Sequence, residues 1–111
     1  MQIQYCALGQ KATLFLETVD GYGVRTDGYI APFISRIVFP DLSLATGFPQ
    51  NMIKLDTGLY YFQFTLPNNA LALGSYLAEA VFTNPANNFK NIQAYEIIVN
   101  TSRGMYSLGI N

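Results

Sequence analysis

The sequence predicts an all-β domain. Apolar residues recur at every second position in short runs, and Gly, Pro, Asn and Asp separate those runs. No window of helical length keeps a 3.6-residue period. The composition agrees, with eight Tyr and eight Phe set among Val, Ile and Thr, the residues that suit a half-buried pleated surface. At 111 residues, half of them hydrophobic, the chain is long enough for one packed core.

Seven strands follow in order. The first lies near residues 1–8, where Met1, Ile3, Tyr5 and Ala7 alternate with Gln2, Gln4, Cys6 and Leu8. The second, 12–19, sets Ala12, Leu14 and Leu16 on one face and Thr13, Phe15 and Glu17 on the other. A turn-rich loop follows, Asp20-Gly-Tyr-Gly-Val-Arg-Thr-Asp-Gly28, and then a third strand, 33–39, closed by Pro40, which cannot donate to a central ladder. Residues 40–51 read as a loop punctuated by Pro40, Gly47 and Pro49. A short fourth strand, 52–55, meets the tight turn Asp56-Thr-Gly58 and the fifth strand, 59–66, with Tyr60, Phe62, Phe64 and Leu66 inward. The sixth strand, 75–82, points Tyr76, Ala78, Ala80 and Phe82 inward, and the seventh, 92–99, does the same with Tyr95, Ile97 and Val99. Residues 1–99 therefore read as the domain and 100–111 as a polar tail with three apolar anchors, Met105, Leu108 and Ile110.

Seven alternating strands in about a hundred residues is the count of an immunoglobulin-like sandwich. Leu73-Gly74-Ser75-Tyr76 resembles the entry to the sixth strand of such domains, where a Gly precedes a Tyr whose hydroxyl bonds back to the backbone at the corner between sheets. Asp56-x-Gly58-x-Tyr60-x-Phe62 resembles the variable-domain form of the same motif, with Phe in place of Cys. Three residues between strands 52–55 and 59–66 suit a hairpin within one sheet, whereas 67–74 is long enough to cross between sheets. The corner is thus expected at Gly74 and Tyr76. The pattern is similar to macroglobulin-type and phage virion immunoglobulin-like modules over residues 10–99. The resemblance implies a seven-stranded antiparallel sandwich and a structural role.

Catalytic chemistry has few groups to use. There is no His, so no Ser-His or Cys-His pair and no imidazole ligand exists. The seven carboxylates are dispersed, and Glu17, Glu79 and Glu96 fall on outward strand positions, which suits solvated surface groups better than an acid–base pair. Asp20 and Asp27 bracket a loop, but the spacing of a calcium loop is missing and turn geometry accounts for both Asp-Gly pairs. Cys6 is alone, so no disulfide or thiolate cage forms, and on an edge strand it reads as a packing residue. Tyr22, Tyr29 and Phe48 offer a sugar-stacking platform or, more simply, loop packing. No metal, no cofactor and no enzymatic activity are expected.

The six basic residues are scattered singly, which disfavours nucleic acid and anionic membranes as partners. The start, Met1 to Cys6, lacks the basic and unbroken apolar segments of a secretory signal. The informative anomaly is apolar residues on the outer faces. With Ile37 and Phe39 inward, Ile34 and Val38 point out beside Leu77 and Val81 of the sixth strand. On the other sheet Phe15 lies near Leu59 and Tyr61. Contiguous clusters of this kind mark partner surfaces unless the 100–111 tail or the 40–51 loop folds back to cover them. Together with the resemblance, this predicts a non-enzymatic protein–protein interaction module. The expected setting is a phage virion, made in the host cytoplasm, as a capsid decoration, neck or tail component. Its partners would be other virion proteins or further copies of the chain. The alternative is an adhesion module that binds a carbohydrate or a cell-surface receptor.

Overall fold

The computed structural model describes residues 1–67 and 73–100, and every strand in it belongs to one of two sheets. In chain order these are β1 (Gln2–Cys6), β2 (Lys11–Glu17), β3 (Phe33–Val38), β4 (Gln50–Asn51), β5 (Ile53–Asp56), β6 (Leu59–Thr65), β7 (Gly74–Thr83) and β8 (Lys90–Val99). One sheet has the order β1-β8-β7-β3-β4, the other β2-β6-β5. The all-β, two-sheet expectation holds.

Two details differ from it. There are eight strands among the described residues, because Gln50–Asn51, expected inside a loop, pairs with Phe33 and Ile34 as a two-residue edge. The sandwich is also not wholly antiparallel, since β1 runs parallel to β8, with Gln2 opposite Tyr95 and Cys6 opposite Val99. A hairpin would force antiparallel pairing. Here β1 instead leads, through a turn at residues 7–10, into β2 of the other sheet, so no hairpin fixes its direction.

The core lies between the sheets. Leu14, Leu16, Tyr60 and Phe62 of the smaller sheet meet Ile37, Tyr76, Ala78, Tyr95, Ile97 and Val99 of the larger one. Each aliphatic side chain fully withdrawn there is worth about 1.5–3 kcal/mol. Phe64 and Phe82, expected in the core, are partly buried at its margin. Phe64 belongs to a ring cluster with Phe39, Phe48 and Tyr76, at centroid separations of 6.4, 6.5 and 6.4 Å.

Two side-chain contacts fix the arrangement: one ties the sheets together, the other ties the β2–β3 loop to the smaller sheet. At one, the Tyr95 hydroxyl donates to the carbonyl oxygen of Phe15 at 2.7 Å, satisfying an acceptor on β2, which is an edge of its sheet. Burial pushes the Tyr95 hydroxyl up to about 12. At the other, Asp27 clasps the β5–β6 turn: its Oδ1 accepts from the Gly58 amide and the Tyr60 hydroxyl, both at 2.8 Å, and its Oδ2 pairs with Lys54. These partners, Lys54 foremost, hold the Asp27 carboxyl down at about 2. Gly58 has φ +69°, and a Cβ there would stand 2.6 Å from the Thr18 carbonyl oxygen and 2.7 Å from the Thr26 amide nitrogen. Only glycine fits that close approach without strain.

Candidate docking faces

On the outer face of the smaller sheet, the β2–β6 register sets Phe15 opposite Tyr61 and Glu17 opposite Leu59, and the β5–β6 register sets Ile53 opposite Tyr61. Phe15, Tyr61 and Ile53 thus form an unbroken row across all three strands. Phe15 is 49% exposed, Ile53 53% and Leu55 57%, while Leu59 and Tyr61 are half-buried. Thr13, Phe15, Leu55, Tyr61 and Gln63 line a shallow recess on this face. The predicted trio Phe15, Leu59 and Tyr61 is therefore brought together. Ile53 and Leu55 were missed, although their alternation with Lys54 and Asp56 carried the signal.

The larger sheet corrects the other predicted patch. Ile34 is fully buried and does not face outward. The register slips between Ile34, opposite Ala80, and Arg36, opposite Glu79, so Ser35 is an extra residue and the β3 alternation changes phase. Ile34 and Ile37 then both point inward. Val38 sits opposite Leu77 and Val81 opposite Phe33, all four half-buried. Between these two apolar pairs stand Arg36 and Glu79, joined by an ion pair at 2.8 Å that raises the Arg36 guanidinium further. The Ser75 hydroxyl also donates to Glu96 on this face. Leu42 and Met1 help line a recess beside Val38 and Leu77.

At the predicted corner, Gly74 opens β7 at φ +126° with the Pro40 ring close beside it. Tyr76 is buried against Phe39, ring edge to face at 5.6 Å. Its expected hydroxyl partner falls in a segment that includes residues 68–72, outside the described ones. The expected anchors Met105, Leu108 and Ile110 lie outside them as well.

The carboxylates are occupied within the chain. Glu17 pairs with Arg25, Glu79 with Arg36 and Asp27 with Lys54. Asp20 accepts from the amides of Tyr22 and Val24, Asp41 from Ser43, Asp56 from the Thr57 amide and Glu96 from Ser75. Among the described residues no group of three acidic or cysteine side chains is placed to hold a metal. Cys6 is buried, and burial raises its thiol. Of the loop aromatics, Phe48 packs edge-on against Phe62 at 5.8 Å, whereas Tyr22 and Tyr29 are 94% and 87% exposed. Their loop shares one end of the sandwich with the β5–β6 turn and the β7–β8 loop, where Phe89 is exposed too.

No family model, curated protein or solved structure matches this chain.

Proposed function

We propose that the chain is a non-enzymatic structural module with an immunoglobulin-like sandwich, docking on protein through the outer face of its smaller sheet. The observation that carries the reading is the row Phe15–Tyr61–Ile53, which crosses the whole sheet with no charged residue within it. A stable interface needs a desolvated centre with aromatic or aliphatic anchors, and this row supplies one. The sheet orders β1-β8-β7-β3-β4 and β2-β6-β5 support the immunoglobulin-like assignment, because two sheets of that size with an added short strand beside β3 match the variable-type layout. Phage particles are the proposed setting, as capsid decoration, neck or tail component. Resemblance of the Gly-x-Tyr strand pattern to modules of such particles supports this, and so does a fold that holds together with one cysteine and no disulfide.

The test is recovery of the chain in a purified particle fraction. Phe15→Asp with Ile53→Asp should abolish incorporation while leaving the far-ultraviolet circular dichroism unchanged, because a docked face would then bury unpaired charge. Normal incorporation of this double variant would end the reading.

A second reading has its own observation. Tyr22, Tyr29 and Phe89 are exposed at one end of the sandwich, on loops rich in Gly and Asn. Rigid aromatic anchors among adaptable polar residues are the chemistry of a receptor- or carbohydrate-binding tip. A glycan array probed with the wild-type chain and with Tyr22→Ala, Tyr29→Ala tests it, and equal signal from both would remove it.

A further inference from the structure

We infer that the partner on the smaller sheet's outer face is a second copy of this chain, docked about a two-fold axis that crosses the strands. This rests on the reading of that face as a docking surface and adds the identity of the occupant. The argument is charge placement. Lys11 and Glu17 stand at opposite ends of β2, and both lie on the outer side with Phe15, since residues 11, 13, 15 and 17 alternate with the buried 12, 14 and 16. Six residues of extended chain separate them, about 20 Å.

Place the axis in the plane of contact, across the strands at the level of Leu14 and Phe62, which are paired in register. Each β2 then lies antiparallel over its counterpart. Lys11 of either copy falls on Glu17 of the other, twice over, and between these rims the two apolar rows lie side by side, each over Thr13 and Gln63 of the other copy. Arg25 reaches one oxygen of Glu17 at 3.3 Å in a half-exposed pair, leaving the other oxygen available, and no ion pair of Lys11 occurs among the described residues. An axis parallel to the strands would lay Lys11 nowhere near Glu17, so the charges select the antiparallel arrangement. With a net charge of only −1, the copies repel each other only weakly at long range.

The face is small. Three strands about 4.8 Å apart, two of seven residues and one of four, cover roughly 300 Å², well under the ~800 Å² per partner of a standard interface. The dimer is accordingly weak in dilute solution and is favoured where neighbours in an assembly raise the effective concentration.

Sedimentation equilibrium of the full chain over a wide concentration range tests this. The weight-average mass should climb from the 12.3 kDa of one chain toward twice that value and no further. Lys11→Glu alone and Glu17→Lys alone should each lower the association constant roughly tenfold, as two weak exposed attractions become repulsions. Lys11→Glu combined with Glu17→Lys should restore it, because the swap recreates both pairs only when the partner is a second copy in this orientation. Circular dichroism checks that each variant is folded. Three results would overturn the inference: a chain that stays monomeric at every concentration, a swap that does not restore association, or growth past the dimer. If the wild type stays monomeric but Phe15→Asp with Ile53→Asp still abolishes particle incorporation, a different protein occupies the face and the docking reading stands. If incorporation is indifferent to those substitutions as well, both fall.

Discussion

Both outer faces carry apolar rows, yet only on the smaller sheet does such a row cross every strand. On the smaller sheet, Phe15, Tyr61 and Ile53 follow one another across the strands without interruption. On the larger sheet, the apolar row Phe33–Val81–Ile92 spans three of the five strands, and Arg36 and Glu79 part it from the Val38–Leu77 pair. An ion pair set across a row keeps water on the face and divides its apolar surface. Cross-strand position, more than composition, separates a wettable face from an adhesive one.

The largest expected effect asks whether Ile34 truly belongs inside. Ile34→Ala should cost about 2–5 kcal/mol, the range for a buried aliphatic side chain that leaves a cavity. Val38→Ala, on the half-buried outer side, should cost less than about 1 kcal/mol. Urea unfolding of the two variants measures the gap. Equal costs would mean that the β-bulge at Ser35 is absent and that Ile34 belongs to the larger sheet's outer face.

That bulge also marks where the sequence stopped being legible. Strand positions could be read from alternation, and the residues expected inward are buried except Phe39, Phe64 and Phe82, because period two survives wherever a strand is regular. Alternation assumes a constant phase, and Ser35 changes it, so the sequence alone put Ile34 on the wrong side. The polar neighbours Ser35 and Arg36 between Ile34 and Ile37 were the visible hint. The same limit hid the long-range side-chain ties. Nothing local to Tyr95 names the Phe15 carbonyl, 80 positions away, and nothing around Asp27 names Gly58 and Tyr60, because only the folded topology brings them together.

Those ties hold the smaller sheet in place and give the next effects. Gly58→Ala should destabilise by roughly 1–3 kcal/mol from the left-handed backbone alone, with more from the Thr18 and Thr26 backbone atoms that a Cβ would meet. Tyr95→Phe should cost about 1–3 kcal/mol, since the Phe15 carbonyl is left without that donor. Thermal melts of both variants check these values. If Tyr95→Phe is neutral, water replaces the hydroxyl and the β2 edge is wetter than the adjoining apolar row implies.

Asp27 gives the acid limb. Its carboxyl is held at about 2 in the folded protein, below the ordinary value of 3.8. A depressed carboxylate contributes stability that is present above the unfolded value and lost as pH falls through the folded one. Wild-type melting temperature should therefore drop between about pH 4 and pH 2, with part of the drop missing in Asp27→Asn. Parallel melts across that window make the comparison. Identical slopes would mean that Lys54, Gly58 and Tyr60 do not hold the ionised form in solution.

The smallest effect on stability carries the most about the faces. Arg36→Leu with Glu79→Leu removes the ion pair that divides the larger sheet. Both side chains are part-exposed, so solvent screens the pair and the melting temperature should move little. Association should change far more. With the dividing row made apolar, Phe33–Val81 at one side and Val38–Leu77 at the other join into a single patch of the kind that self-associates. Light scattering of the double variant should show a concentration-dependent rise in mass that persists when Phe15→Asp and Ile53→Asp disable the smaller face. A double variant that scatters like the wild type would mean that an unbroken cross-strand row is insufficient for association. The case for the Phe15–Tyr61–Ile53 row would then rest on its rim charges, Lys11 and Glu17, and not on its continuity.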